Sequence, residues 1–159
     1  MIDLIANGIL IGTGATVLLD LWSFGMAWFF RDPMPDFRMM GRWFAHLRDG
    51  RIFHPDIAAA VPHTRENAIG WAGHYAVGIA YGIFLVLACG RDWLTAPTLF
   101  PALAWGVITI AAGWFLLLPG MGLGVAGSKL PDPGKARATG LLAHVVFGLG
   151  LWLSALYLA

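Results

Sequence analysis

Charge is scarce in this chain. Lys, Arg, Asp and Glu make up 12% of its 159 residues, where an average soluble domain carries roughly 25%. Cysteine is scarcer still: Cys89 stands alone, which excludes an internal disulfide and, within one chain, a thiolate cage for zinc or an iron–sulfur cluster. Ten basic residues nearly cancel nine acidic ones, leaving a formal net charge of +1, so no nucleic-acid partner is implied. Reaction motifs are missing too. Ser23, Ser128 and Ser154 have no nucleophile motif around them, and the His-x-x-x-Gly spacing is not the His-Glu-x-x-His of zinc proteases. No catalytic residue and no metal site is therefore assigned, and an enzyme is not the expectation.

What is abundant is apolar: 58% of the chain is hydrophobic, and it comes in blocks too long for one ordinary water-facing core. Leu4 to Phe30, Ala68 to Cys89, Thr98 to Leu118 and Ala138 to Leu158 each meet the need for about 20 mainly apolar residues across a bilayer. The expected fold is all-α, a four-transmembrane-helix bundle forming a single integral membrane domain over 1–159. The first block has Asp3 and no Lys or Arg before Arg31, so it reads as a retained span rather than a signal peptide. The connection from Arg31 to Asn67 carries Arg31, Arg38, Arg42, Arg48, Arg51 and Arg65, and that from Pro119 to Arg137 carries Lys129, Lys135 and Arg137. The positive-inside rule then puts both connections in the cytoplasm and both termini in the periplasm of a bacterial inner membrane.

Within the first connection, DFRMMGRWFAHLRDG (36–50) follows Pro33 and Pro35 and places Phe37, Met40, Phe44 and Leu47 at helical spacing. It reads as a short amphipathic helix at the inner membrane surface, with Arg38, Arg42, Trp43 and Arg48 meeting lipid headgroups. His46, His54 and His63 lie in the same connection at separations of eight and nine, which is not the spacing of one helical turn and makes a poor metal cluster. PGMGLGVAGSKLPDPG (119–134) has Ser128 before Lys129 and prolines after, whereas a phosphate loop needs Gly-Lys-Ser/Thr opening a helix, so a cytoplasmic turn is expected.

Small residues recur three or four apart along the spans: Gly8, Gly12, Thr16 and Asp20; Gly70, His74, Gly78 and Gly82; Ala102, Gly106, Thr109 and Gly113; Gly140, His144 and Gly148. Lipid gives apolar side chains no reason to leave it, so such ridges are expected to pack helix on helix while bulky residues turn outward. The second and fourth spans repeat at a constant offset of seventy, Gly70, His74 and Gly78 answering Gly140, His144 and Gly148, which implies a parallel repeat.

The ridges carry Asp20, His74 and His144, with Thr16 one turn from the carboxylate. An aspartate at a span centre costs around 2.5 to 3.5 kcal/mol on insertion scales, so it is expected to face the interior and meet a partner, with the three titratable groups converging in the inner half of the membrane. Three readings follow. Proton- or ion-linked translocation of a small solute uses the trio as a relay, and four helices leave so little room that a homo-oligomer is expected. A redox subunit uses His74 and His144 as axial ligands of haem b, with adjacent glycines leaving space for the ring. A structural or assembly protein uses them only as interhelical hydrogen-bond glue, with no cofactor. Translocation is the preferred reading, with the bilayer, a second copy and an unidentified solute or ion as partners.

GTGATVLLDLW (12–22), GRW (41–43), GHYAVGIAYG (73–82) and the PGMGLGVAGSKLPDP turn with His144 beyond together resemble a family of small bacterial integral membrane proteins catalogued as a domain of unknown function. The resemblance spans nearly the whole chain. It implies a four-span inner-membrane protein and marks Asp20, His74 and His144 as family-type positions, and it supplies no substrate, cofactor or catalytic assignment.

Overall fold

A computed structural model describes residues 1–31 and 35–159. Pro33, expected to precede the amphipathic helix, lies outside the described residues. Helix α1 runs Ile2–Phe30, α2 Arg38–Leu47, α3 Glu66–Thr95, α4 Leu99–Gly120 and α5 Pro133–Leu158, with no strand among the described residues. Helices α1, α3, α4 and α5 are the ones long and apolar enough to cross a membrane, so the chain is a membrane protein of all-α class. Helices α1, α3 and α5 contain their expected spans and extend past them by a few residues, while α4 begins one residue after the expected Thr98, which is its extended N-cap, and runs two residues past Leu118.

The helix ends have local causes. Arg31 takes the left-handed conformation (φ 54°) that closes α1. Gly90, at φ 76° and ψ −171°, breaks α3 and leaves 91–95 as a separate turn; glycine suits this conformation because a side chain would strain it. Helix α4 is irregular: its α-helical turns give way to a π-helical segment at Gly113–Leu117, where one extra residue enters the turn.

Where the sequence reads as one domain, the packing divides into two compact units. Unit 1 comprises Met1–Pro35, Tyr75–Thr109 and Leu142–Ala159, and unit 2 comprises Asp36–His74 and Ile110–Leu141. Unit 1 is a four-helix packing around Ile11, Ala15, Leu85, Val86, Phe147 and Leu151. The buried face of α1 (Gly8, Ile11, Gly12, Ala15, Thr16, Asp20) is the i, i+3, i+4 stripe of the small-residue ridge, while Leu10, Leu21 and Trp28 on its other sides are exposed and face lipid in a membrane.

The glycine ridges bring backbones together in unit 1. A Cβ added to Gly8 would come within 2.5 Å of Ile83 Cα, one on Gly12 within 2.5 Å of Gly78 O, and one on Gly82 within 2.5 Å of Gly12 N. A Cβ on Gly106 would stand 2.5 Å from Gly148 Cα. Of the repeated positions in α3 and α5, Gly78 receives the Thr16 side chain of α1 and Gly148 receives the backbone of Ala102 and Leu103 of α4. Gly113 departs from the expectation. Among the described residues no atom of a packed neighbour lies within 4 Å of where its Cβ would be; it stands where the regular α-helical turns give way to the π-helical segment. Gly140 makes only loose contact, 3.8 Å from Ile110 and Trp114.

Unit 2 has its own small core of Trp43, Ile57 and Met121, with Phe44, Leu47, Leu118 and Leu123 against it. This core is why the connections fold as more than turns. The 52–57 segment pairs with the end of α4: the His54 N–H donates to Gly120 O at 2.9 Å and the Ile57 N–H to Met121 O at 3.0 Å. Gly122 closes this junction at φ 86°, its Cα facing the His54 and Pro55 carbonyls too closely for any side chain.

Candidate functional site

The GRW triplet of α2 divides three tasks. Gly41 lets the α2 backbone touch the start of α3, where a Cβ would stand 2.6 Å from Gly70 N. Trp43 is buried and donates its indole N–H to Ile52 O at 2.7 Å. Arg42, only 5% exposed, donates Nε to Glu66 Oε2 at 2.8 Å and Nη2 to Oε1 at 3.1 Å, while Nη1 donates to Ile57, Ala58 and Ala60 carbonyls at 3.0, 2.9 and 3.1 Å. Its guanidinium pKa is pushed up further by the Glu66 carboxylate it bonds. Arg42 and Trp43, expected at the membrane surface, are therefore corrected to interior positions: a rigid fork with five donors meets a carboxylate and three loop carbonyls, of which Ile57 O also accepts the Ala60 N–H at 3.2 Å. Arg38 and Arg48 are exposed as expected, Arg38 pairing with Asp36 at 2.7 Å.

Gly70, expected in a helix–helix ridge, instead packs against Phe37 just before α2. One turn further along α3, the ring of His74 stacks on Phe37 at 4.5 Å and 24° and meets Trp71 edge-on at 6.1 Å. His74 thus sits in an aromatic setting in unit 2.

In unit 1, Asp20 is 7% exposed, and the phenol of Tyr75, the residue after His74, donates to its Oδ2 at 2.8 Å. Tyr75 lies inside GHYAVGIAYG but off the small-residue ridge, so spacing does not mark it; only its place beside a ridge histidine hints at it. Thr16, one turn before Asp20 and 1% exposed, donates to Gly12 O at 2.8 Å and does not bond the carboxylate among the contacts described.

His144 meets Thr109 and Gly106 of α4. The Thr109 hydroxyl donates to Gly106 O at 2.6 Å, and His144 Nδ1 lies 3.0 Å from both that oxygen and Thr109 Oγ1. A carbonyl only accepts, so Nδ1 carries the proton and Nε2 of the neutral ring holds the lone pair. This tautomer would suit a metal-bound imidazole. The space claimed for a flat haem beside it is nevertheless filled, since a Cβ on Gly148 would stand 3.0 Å from Ala102 O and Leu103 Cα. Gly148 there admits the α4 backbone.

The histidines of the first connection separate into two roles. His63 Nδ1 accepts the Arg65 N–H at 3.2 Å, turning the chain into α3. His46 and His54, eight apart in sequence, meet ring to ring at 2.9 Å. No group of three or more His, Cys, Asp or Glu side chains among the described residues is arranged to hold a metal ion.

Among curated proteins and solved structures, none matches this chain. Residues 9–158 match the family model described as Protein of unknown function (DUF2938), a span that takes in Asp20, Tyr75, His144 and both folded connections. With its four apolar helices and this match over nearly its full length, the chain belongs to the DUF2938 family.

Proposed function

We propose that this protein moves a small solute across the bacterial inner membrane in a proton- or ion-linked step, with Asp20 as the group that takes up and releases the ion. The observation that supports this reading is a buried carboxylate in the middle of a span, bonded to the phenol of Tyr75 at 2.8 Å. A carboxylate in that setting is costly, and such residues mark ion paths in membrane proteins. Tyr75 can hold the charged form by donating and can follow a change in protonation by rotating its O–H. His144, with Nε2 as its acceptor, supplies a further titratable position in unit 1, and Thr16 a hydroxyl one turn before the carboxylate.

The basic connections face the cytoplasm and the termini the periplasm in this reading, because nine of the ten Lys and Arg residues lie in those connections. The working unit is a homo-oligomer. Its contacts use faces other than the ridges of Gly8, Gly12, Gly78, Gly82, Gly106 and Gly148, which are consumed inside the chain.

Proteoliposomes enclosing a pH-sensitive dye test the reading. Pools of small solutes added outside should change the internal pH with wild-type protein, and Asp20→Asn should abolish the response. If wild-type liposomes respond no more than empty ones to every pool, translocation is overturned and the scaffold reading stands.

A further inference from the structure

The His46–His54 contact in unit 2 has a geometry that two neutral imidazoles do not satisfy. His46 Nε2 lies 3.0 Å from Val61 O, His46 Nδ1 lies 2.9 Å from His54 Nε2, and His54 Nδ1 lies 3.1 Å from Gly120 O. Carbonyl oxygens accept and never donate, so His46 Nε2 and His54 Nδ1 are both N–H groups. A neutral imidazole has one N–H, and those two bonds use both. The inner nitrogens would then face each other as two lone pairs at 2.9 Å. Their ring centroids are 5.0 Å apart and the rings are tilted by 31°, so the nitrogens point nearly head-on and repel. One further proton turns the repulsion into an N–H···N hydrogen bond.

We propose that His46 and His54 form a one-proton site, a shared-proton imidazole pair of net charge +1 that ties the end of α2 to the end of α4. A second feature of the fold supports the charge. His46 lies in the last turn of α2, and His54 caps the last carbonyl of α4, Gly120, through both its backbone N–H and its ring. Helix C-termini carry partial negative charge, and a cationic histidine there is stabilised. Here two such termini address one pair.

Among the described residues, the other charged groups do not supply an alternative partner. On α2, Arg42 precedes His46 by one turn and is engaged by Glu66, while Arg48 and Asp49 are exposed, as is Arg51 beyond them. On the 52–61 segment, Asp56 Oδ1 accepts the Ala58 N–H at 2.8 Å. From α4 the pair meets the Gly120 carbonyl, and Lys129 in the following loop is exposed. Losing the proton therefore forces at least one ring to swing away, releasing either Val61 or Gly120. The site acts as a pH-sensitive latch on the folded connections, and it is independent of the ion-handling role assigned to Asp20.

Full-length protein labelled with ¹⁵N-histidine, in lipid nanodiscs, tests the proposal by NMR across about pH 5 to 9, the range in which histidines ordinarily titrate. The expected acidic spectrum has three protonated nitrogens for the two rings and a scalar coupling between His46 Nδ1 and His54 Nε2. Raising the pH should leave two protonated nitrogens and remove the coupling. His46→Gln and His54→Gln assign the signals and should each abolish the coupling; should either variant fail to fold, the coupling in wild-type protein still decides the matter. Two neutral rings throughout the folded range would overturn the proposal. So would a His46–His54 contact that changes on addition of a chelator, which would assign the gap to a metal ion.

Discussion

Tyr75 donates its phenolic O–H to Asp20 Oδ2 at 2.8 Å, a part-buried bond that joins α3 to α1 in unit 1. Removing the hydroxyl takes a donor from a carboxylate that low-dielectric surroundings leave few ways to solvate. Tyr75→Phe is expected to lower the unfolding free energy by about 0.6 to 2 kcal/mol, the range for interhelical hydrogen bonds in membranes. Equilibrium unfolding in mixed micelles measures it. Asp20→Asn, which keeps an acceptor oxygen for Tyr75, should cost less than Asp20→Leu, and equal costs would show that the bond contributes nothing.

Two glycines of α1 make opposite predictions. Gly12→Ala drives a methyl to within 2.5 Å of Gly78 O and 2.7 Å of Ile79 Cα, both backbone atoms that cannot swing aside, and overpacking of this kind costs about 1 to 3 kcal/mol. Gly25→Ala meets nothing within 4 Å among the described residues. It should gain about 0.5 to 1 kcal/mol from the lower backbone entropy of the unfolded chain. Thermal melting of the two variants side by side checks both signs.

Arg42 and Glu66 form a buried pair whose side chains are 6% and 14% exposed. Arg42→Ala removes both guanidinium bonds to the Glu66 carboxylate, which keeps the His63 N–H, and takes the guanidinium donor from the Ala58 and Ala60 carbonyls, at an expected cost of about 1.5 to 3 kcal/mol. Arg42→Lys should recover only part of it, because an ammonium cannot bond a carboxylate in a bidentate fork while also reaching three carbonyls. The loss is local to unit 2, so the fluorescence of Trp43, read in a variant lacking the other tryptophans, should red-shift while helix content stays.

The Arg38 guanidinium beside Asp36 holds that carboxyl below its usual range. A lowered folded-state pKa contributes stability above the unfolded value and loses it as pH falls through the folded value, so acidification below about pH 4 removes the contribution. Both side chains are exposed, at 60% and 46%, so screening keeps the effect small. Asp36→Asn should change the melting temperature slightly at low salt and not at all in about 1 M salt.

How far the sequence reaches depends on the range of the interaction. Four apolar blocks, the helix over 36–50 and the inward face of α1 were legible because hydrophobic length and i, i+4 spacing are properties of a single segment. The family match agrees with the motifs for the same reason, since GRW and GHYAVGIAYG are read one segment at a time. Arg42 and Trp43 were misplaced on the surface because amphipathic spacing registers polarity and cannot register that Ile57, Ala58, Ala60 and Glu66 wait to receive a guanidinium.

What only the tertiary structure decided is which segment meets which. His46 and His54 showed no helical spacing, yet a loop returning from α2 to the last carbonyl of α4 sets them ring to ring at 2.9 Å. Tyr75 looked like one more aromatic until α1 and α3 closed on their glycines and aimed its hydroxyl at Asp20. Composition and periodicity determined the solvent and the helices, because burial of apolar length is additive along the chain. Hydrogen-bond partners are directional and contributed from residues far apart in sequence, so they emerge only when the backbones have packed.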